Sequence, residues 1–112
     1  MPFDIAFYVN ADGDTPVTDF LDSLSVKEGD KCAQYILLLM EYGQRLPAQY
    51  SKHIEGKLYE LRPEFGGVEM RIFYFTFVGD LIVLLHGFKK KTQKTPEREL
   101  KIARSRLKEL AP

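Results

Sequence analysis

The stretch Leu84-Leu-His86-Gly-Phe-Lys89-Lys90-Lys91-Thr-Gln-Lys94-Thr95-Pro96 holds the residues best suited to chemistry. Four lysines fall within six residues, directly after a hydrophobic run. Packing does not explain them. Cations held at fixed positions on a rigid strand end suit a phosphate group. Strand alternation turns Lys89 and Lys91 one way and Lys90 the other, so at most two of the three can face one site. Lys94 would approach from the following loop. His86, at the end of the apolar run, is the side chain best suited to proton transfer near neutral pH. Nearby cations would lower its pKa and favour the neutral, proton-accepting form.

Three further cations lie at strand positions: Lys57, Arg62 and Arg71. Arg71 sits inside a hydrophobic strand, where an unpaired charge is costly. Two placements account for it. Its side chain either pairs with Glu60 or Glu69 near the strand end, or points onto an open sheet face and grips phosphate with its planar fork. Arg62 follows the strand Lys57-Leu-Tyr-Glu-Leu61 and precedes Pro63. Tyr59 and Tyr74 are sheet aromatics that could also stack on a base. The chain has no Gly-rich phosphate loop, no Gly-x-Ser-x-Gly and no His-Glu-x-x-His. His53, His86 and the lone Cys32 do not make a metal site, so no cofactor is expected. Cys32 reads as a small buried hydrophobe.

The elements that position these residues follow from periodicity. Phe3 to Asn10 predicts a first or edge strand. Thr15-Pro16 supplies an N-cap and a first-turn proline, with Val17, Phe20, Leu21 and Leu24 along one helix face. Lys27 to Asp30 predicts a break. A second helix follows with Ala33, Ile36, Leu37 and Met40 on its apolar side, closed by Gly43. Lys57 to Leu61 is a short strand, and Pro63 to Gly67 a turn. Glu69 to Val78 alternates, with Arg71, Phe73, Phe75 and Phe77 on one face and Met70, Ile72, Tyr74 and Thr76 on the other. Leu81 to Leu85 is apolar throughout, the mark of a central strand. Thr95-Pro96-Glu97 opens a last helix striped by Leu100, Ala103, Leu107 and Leu110. The expected fold class is α+β: an N-terminal strand and helical hairpin, an antiparallel meander sheet and a C-terminal helix. The helices are expected on one face of the sheet, leaving the other face open.

The 112 residues suit one domain spanning 1–112. With 45% apolar and 29% charged residues the composition is that of a soluble globular protein. No apolar run approaches membrane-spanning length. The N-terminus lacks the features of a secretory signal, and a cytoplasmic setting is expected. Net charge is zero but polarised. Residues 1–31 carry seven acids against Lys27 and Lys31, a balance of −5. Residues 86–112 carry nine bases against Glu97, Glu99 and Glu109, a balance of +6. This suggests a local anionic partner, or else a basic solvated last helix.

Leu58-Tyr-Glu60-Leu-Arg62, then Arg71-Ile-Phe-Tyr74, then the segment from Leu84 to Pro96 with its following helix, closely resemble the phage-derived, HigB-like branch of the RelE/ParE toxin superfamily. The resemblance covers roughly residues 54 to 108. It implies a RelE-like fold and a toxin of a type II toxin–antitoxin pair, a ribosome-dependent endoribonuclease that cuts mRNA with a basic sheet face instead of a metal. Its implied partners are mRNA on the ribosome and a cognate antitoxin of the helix-turn-helix kind, with no membrane. Carried over, Arg71 matches the strand arginine at the scissile phosphate, Arg62 a basic residue of the preceding strand, and Lys89 to Lys91 the basic segment after the last strand. The catalytic set is then Arg71, Arg62, His86 and Lys90, with Lys57, Lys89, Lys91 and Lys94 binding RNA. Two departures stand out. Glu60 replaces a basic residue, and no tyrosine follows the lysines in the last helix. Two other functions fit the same fold: a ParE-like poison of DNA gyrase, and a non-catalytic RNA or protein interaction module.

Overall fold

The computed structural model describes residues 2–111. The chain lays down β1 (Asp4–Phe7), α1 (Pro16–Asp22) and α2 (Val26–Tyr42). Five strands follow: β2 (Ser51–Glu55), β3 (Leu58–Leu61), β4 (Glu64–Phe65), β5 (Val68–Thr76) and β6 (Leu81–Lys90), before α3 (Glu97–Leu110). The sheet runs β1-β6-β5-β3-β2, with β4 paired to β5 beside this path. Every pairing is antiparallel except that of β1, which lies parallel to β6. The architecture is α+β, as the periodicity predicts. The apolar run from Leu81 is central, flanked by β1 and β5. Strand geometry persists through His86 to Lys90, so the sheet itself carries the first lysines.

Alternation in β5 feeds two separate cores. Met70, Ile72 and Tyr74 join Val17, Cys32 and Leu39 beneath α1 and α2. Phe73 and Phe75 join Phe88 and Ala103 beneath α3. The helices therefore cover both faces, which corrects the expectation of helices on one side and an open sheet on the other. The physical reason is the sequence of β5 and β6, apolar on both faces over most of their length. A four-strand meander with one wet face would leave Phe73 and Phe75 in water.

The start of α2 also differs from expectation. Lys27 to Asp30 is helix, not a break, because Ser25 and Glu28 form a capping box. Ser25 Oγ accepts from the Glu28 N–H at 3.2 Å, and Glu28 Oε1 accepts from the Ser25 N–H at 3.0 Å. The early start changes which side is buried. Cys32 and Leu39 are in the core, with Tyr35 and Ile36 packed against it, while Ala33 and Leu37 are exposed. Gly43 ends α2 at φ 54°, and a Cβ there would lie 2.3 Å from the Phe3 ring. Among the described residues, no helix is long and apolar enough to cross a membrane.

Candidate functional site

Strand register gathers charges at one end of the sheet, on the α3 side. Lys52 pairs with Glu60, Glu60 with Phe73, Arg71 with Phe88 and Glu69 with Lys90. Glu60 is 2% exposed. Its Oε2 accepts from Thr95 Oγ1 at 3.1 Å. Its Oε1 lies 3.6 Å from Arg62 Nε and 3.5 Å from Arg71 Nε, and neither Nε has a hydrogen-bond partner. One buried carboxylate thus holds two guanidinium groups. Lys90 Nζ donates to the Gln93 carbonyl at 2.8 Å and lies 4.0 Å from Glu69 Oε1.

Above this pair opens a cleft of about 300 Å³ lined by Lys52, Glu60, Arg62, Lys90, Lys94 and Thr95, with Leu100 of α3 on one wall. A broader cleft of about 950 Å³ adjoins it, lined by Gly67 to Glu69 and Lys89 to Gln93. Lys90 and Gln93 belong to both. Of the predicted residues, the structure therefore brings Arg62, Lys90 and Lys94 to one cleft, and Lys90 and Lys91 to its neighbour, where Lys89 contributes wall but not its amine. Such convergence of cations on a concave surface is what a phosphodiester needs.

Arg71 departs from the open-face expectation. It is 3% exposed. Its Nη2 donates to Glu69 Oε1 at 2.6 Å and its Nη1 to the Met70 carbonyl at 2.9 Å. Both pairings named as its alternative, with Glu60 and with Glu69, are present at once. Arg71 thus lies beneath the cleft and does not line it. Lys89 points to the opposite face, where its Nζ meets Glu28 Oε1 at 3.3 Å. Lys57 sits beside the β2–β3 turn at the far end of the sheet, near Arg104 and away from the lysine cluster.

His86 is also separate from the clefts. Its Nε2–H donates to Glu99 Oε1 at 2.7 Å, and its Nδ1 accepts from Arg106 Nη1 at 3.3 Å. Its ring stacks with Phe73 and Phe88. Its pKa is lowered, first by burial and less by Arg106, against the upward pull of Glu99. The expected direction holds, but the cause is burial under α3 and not the lysines. Tyr59 and Tyr74 stack on each other beneath α2, and the Tyr74 hydroxyl bonds Ser51.

Sequence reasoning missed Lys52, because β2 was not foreseen. The available signal was the pair of short runs Ser51–Glu55 and Leu58–Leu61 around Gly56, whose φ of 47° suits a tight turn. Glu69, Gln93 and Thr95 carry no local signal. Only register and the path of the loop bring them to the clefts.

The family described as Phage derived protein Gp49-like (DUF891) matches residues 19–108. This span includes the end of α1, all of α2, the strands β2 to β6 and most of α3. The chain belongs to this phage-derived family, which is of the RelE-like toxin type. No curated protein matches the chain.

Proposed function

We propose that this chain is the toxin of a type II toxin–antitoxin pair, of the HigB-like kind, and that it cleaves mRNA on the ribosome. The observation that carries the proposal is the convergence of Lys52, Arg62, Lys90 and Lys94 on one cleft floored by Glu60. Family membership supports a toxin in general terms. The chemistry follows from the cations. In RNA the 2′-hydroxyl gives up its proton as its oxygen attacks the adjacent phosphorus, the P–O5′ bond breaks, and the leaving 5′-oxygen takes up a proton, giving a 2′,3′-cyclic phosphate and a 5′-hydroxyl. Charge builds on the phosphoryl oxygens in the transition state, and fixed donors aimed there supply a large share of the rate. Arg62 and Lys90 are the cations to supply it, with Lys52 and Lys94 binding the flanking backbone. Glu60 and Arg71 act as positioning residues that hold the Arg62 guanidinium in place. DNA, lacking the 2′-hydroxyl, is inert as a substrate. The partners are translated mRNA and an antitoxin of helix-turn-helix type, in the cytoplasm.

The test is pulse labelling of protein and DNA synthesis after induced expression, wild type beside the Arg62→Ala/Lys90→Ala variant. Immediate loss of protein synthesis, relieved in the variant, is the expected result. An early loss of DNA synthesis would replace the nuclease with a gyrase poison. No effect on either would leave an RNA- or protein-binding module.

A further inference from the structure

The broad cleft beside the catalytic one has a wall that the proposed reaction does not use. Glu69 contacts Arg71 and Lys90 through Oε1 alone. Its Oε2 has no hydrogen-bond partner among the described residues. The residue is part-exposed and lines the cleft. Gln93 lines both clefts and is exposed. Its backbone carbonyl is taken by Lys90, but its side-chain amide has no partner among the described residues. Lys91, exposed and without an ion pair among those residues, lies beside it. Val68 and Gly67 complete the wall. A cleft of about 950 Å³ has ample room for one nucleotide.

Resting on the nuclease reading above, we propose that this cleft is a base-reading subsite for the nucleotide next to the scissile phosphate. It selects bases that carry an exocyclic amino group and rejects uracil. The geometry gives the reason. Lys90 stands at the junction and can hold the phosphate that joins the two clefts, with Lys91 beyond it. A base entering the broad cleft meets a carboxylate oxygen that can only accept and an amide that both donates and accepts. The amino groups of adenine, cytosine and guanine donate to such a carboxylate. Uracil presents carbonyl oxygens on either side of its ring N–H and no amino group. Glu69 Oε2 could then reach only that ring N–H, with a carbonyl oxygen crowding it on either side, acceptor against acceptor. Specificity by mismatch of this kind comes from the disfavoured partner as much as from the preferred one.

The experiment maps 5′-hydroxyl ends across cellular mRNA after induction of wild type, Gln93→Ala and Glu69→Gln. In wild type, uracil should be depleted roughly tenfold at one position flanking the cut, the discrimination expected of one good base contact. The depletion should flatten in both variants while cutting continues. Gln93 is on an exposed loop, so Gln93→Ala keeps the fold; a thermal melt checks Glu69→Gln, whose side chain also supports Arg71. Cuts with no depletion of uracil at either flanking nucleotide would overturn the subsite and leave the nuclease standing. So would a depletion that both variants retain. An absence of new 5′-hydroxyl ends in wild type would overturn the nuclease and the subsite together.

Discussion

Glu60 and Arg71 are the two most buried charged residues of the described chain, and each depends on the other. Removing one partner of such a pair leaves the second charge in a place where water cannot reach it. Arg71→Ala is therefore expected to destabilise the fold by about 3–5 kcal/mol, measured by urea unfolding. Its loss of toxicity would say little about chemistry. Arg62 is the informative neighbour. Its side chain is 34% exposed, so it contacts Glu60 and still reaches the cleft. Arg62→Ala should cost less than Arg71→Ala, because Arg62 is part-exposed and Glu60 keeps Arg71 as a partner, and yet lose growth inhibition. A wild-type unfolding midpoint in Arg71→Ala would show that the buried pair does not support the site. Cys32, at the opposite core, plays no part in this. Burial pushes its thiol up to about 11, which keeps it protonated and unreactive.

The elements owe their placement to a few close contacts. Gly87 lies in β6 directly under α1, and a Cβ there would fall 2.4 Å from Phe20 Cδ2. The backbone of a central strand cannot move away, and the phenyl ring is packed in the helical core. Gly87→Ala should therefore cost about 1–3 kcal/mol, the usual range for overpacking. Combining it with Phe20→Leu should recover part of that loss, because the two sites share one contact. Full additivity in this double-mutant cycle would show that α1 does not bear on the strand at Gly87. The start of α2 is tied in a similar way. Glu28 closes the capping box and also meets Lys89 of β6. Its carboxyl is held below the usual carboxylate range, first by the Ser25 N–H and further by Lys89. A lysine that looked like a ligand-binding group in sequence thus serves to dock a helix.

At the scale of the whole molecule, α3 is fastened over its core through a chain of polar contacts. His86 joins Glu99 and Arg106, Arg106 lies over the Tyr8 ring at 5.0 Å, and the Tyr8 hydroxyl donates to Glu109 at 2.8 Å. The neutral imidazole fits this arrangement, since Nδ1 must accept from a cation. His86 is therefore held below its ordinary pKa of 6.5 in the fold, by burial above all. The unfolded chain takes up the proton first as pH falls. Stability contributed by the neutral ring is complete above about pH 6.5 and declines below it, until the folded ring also titrates. Thermal denaturation between roughly pH 5 and 7.5 should show a fall in Tm on the acid side that is shallower in His86→Gln. Equal slopes in the two proteins would sever this dependence from His86.

The sequence by itself determined the fold class, the central place of the strand from Leu81, the alternation of β5 and the concentration of cations near Lys90. These are local properties. A period of two, an uninterrupted apolar run or a cluster of like charges needs no knowledge of what lies across the sheet. It did not determine β2, the reach of α2 back to Ser25, or the cover on the second face. Nor did it decide between the two placements of Arg71, or separate His86 from the lysines. Those depend on partners distant in the chain: Glu60 on a neighbouring strand, Thr95 from a loop, Glu99 and Arg106 from the last helix. Whether an arginine in a strand faces a ligand or a carboxylate is set by the register of the strands beside it. Register is fixed only when the whole sheet has buried both of its faces.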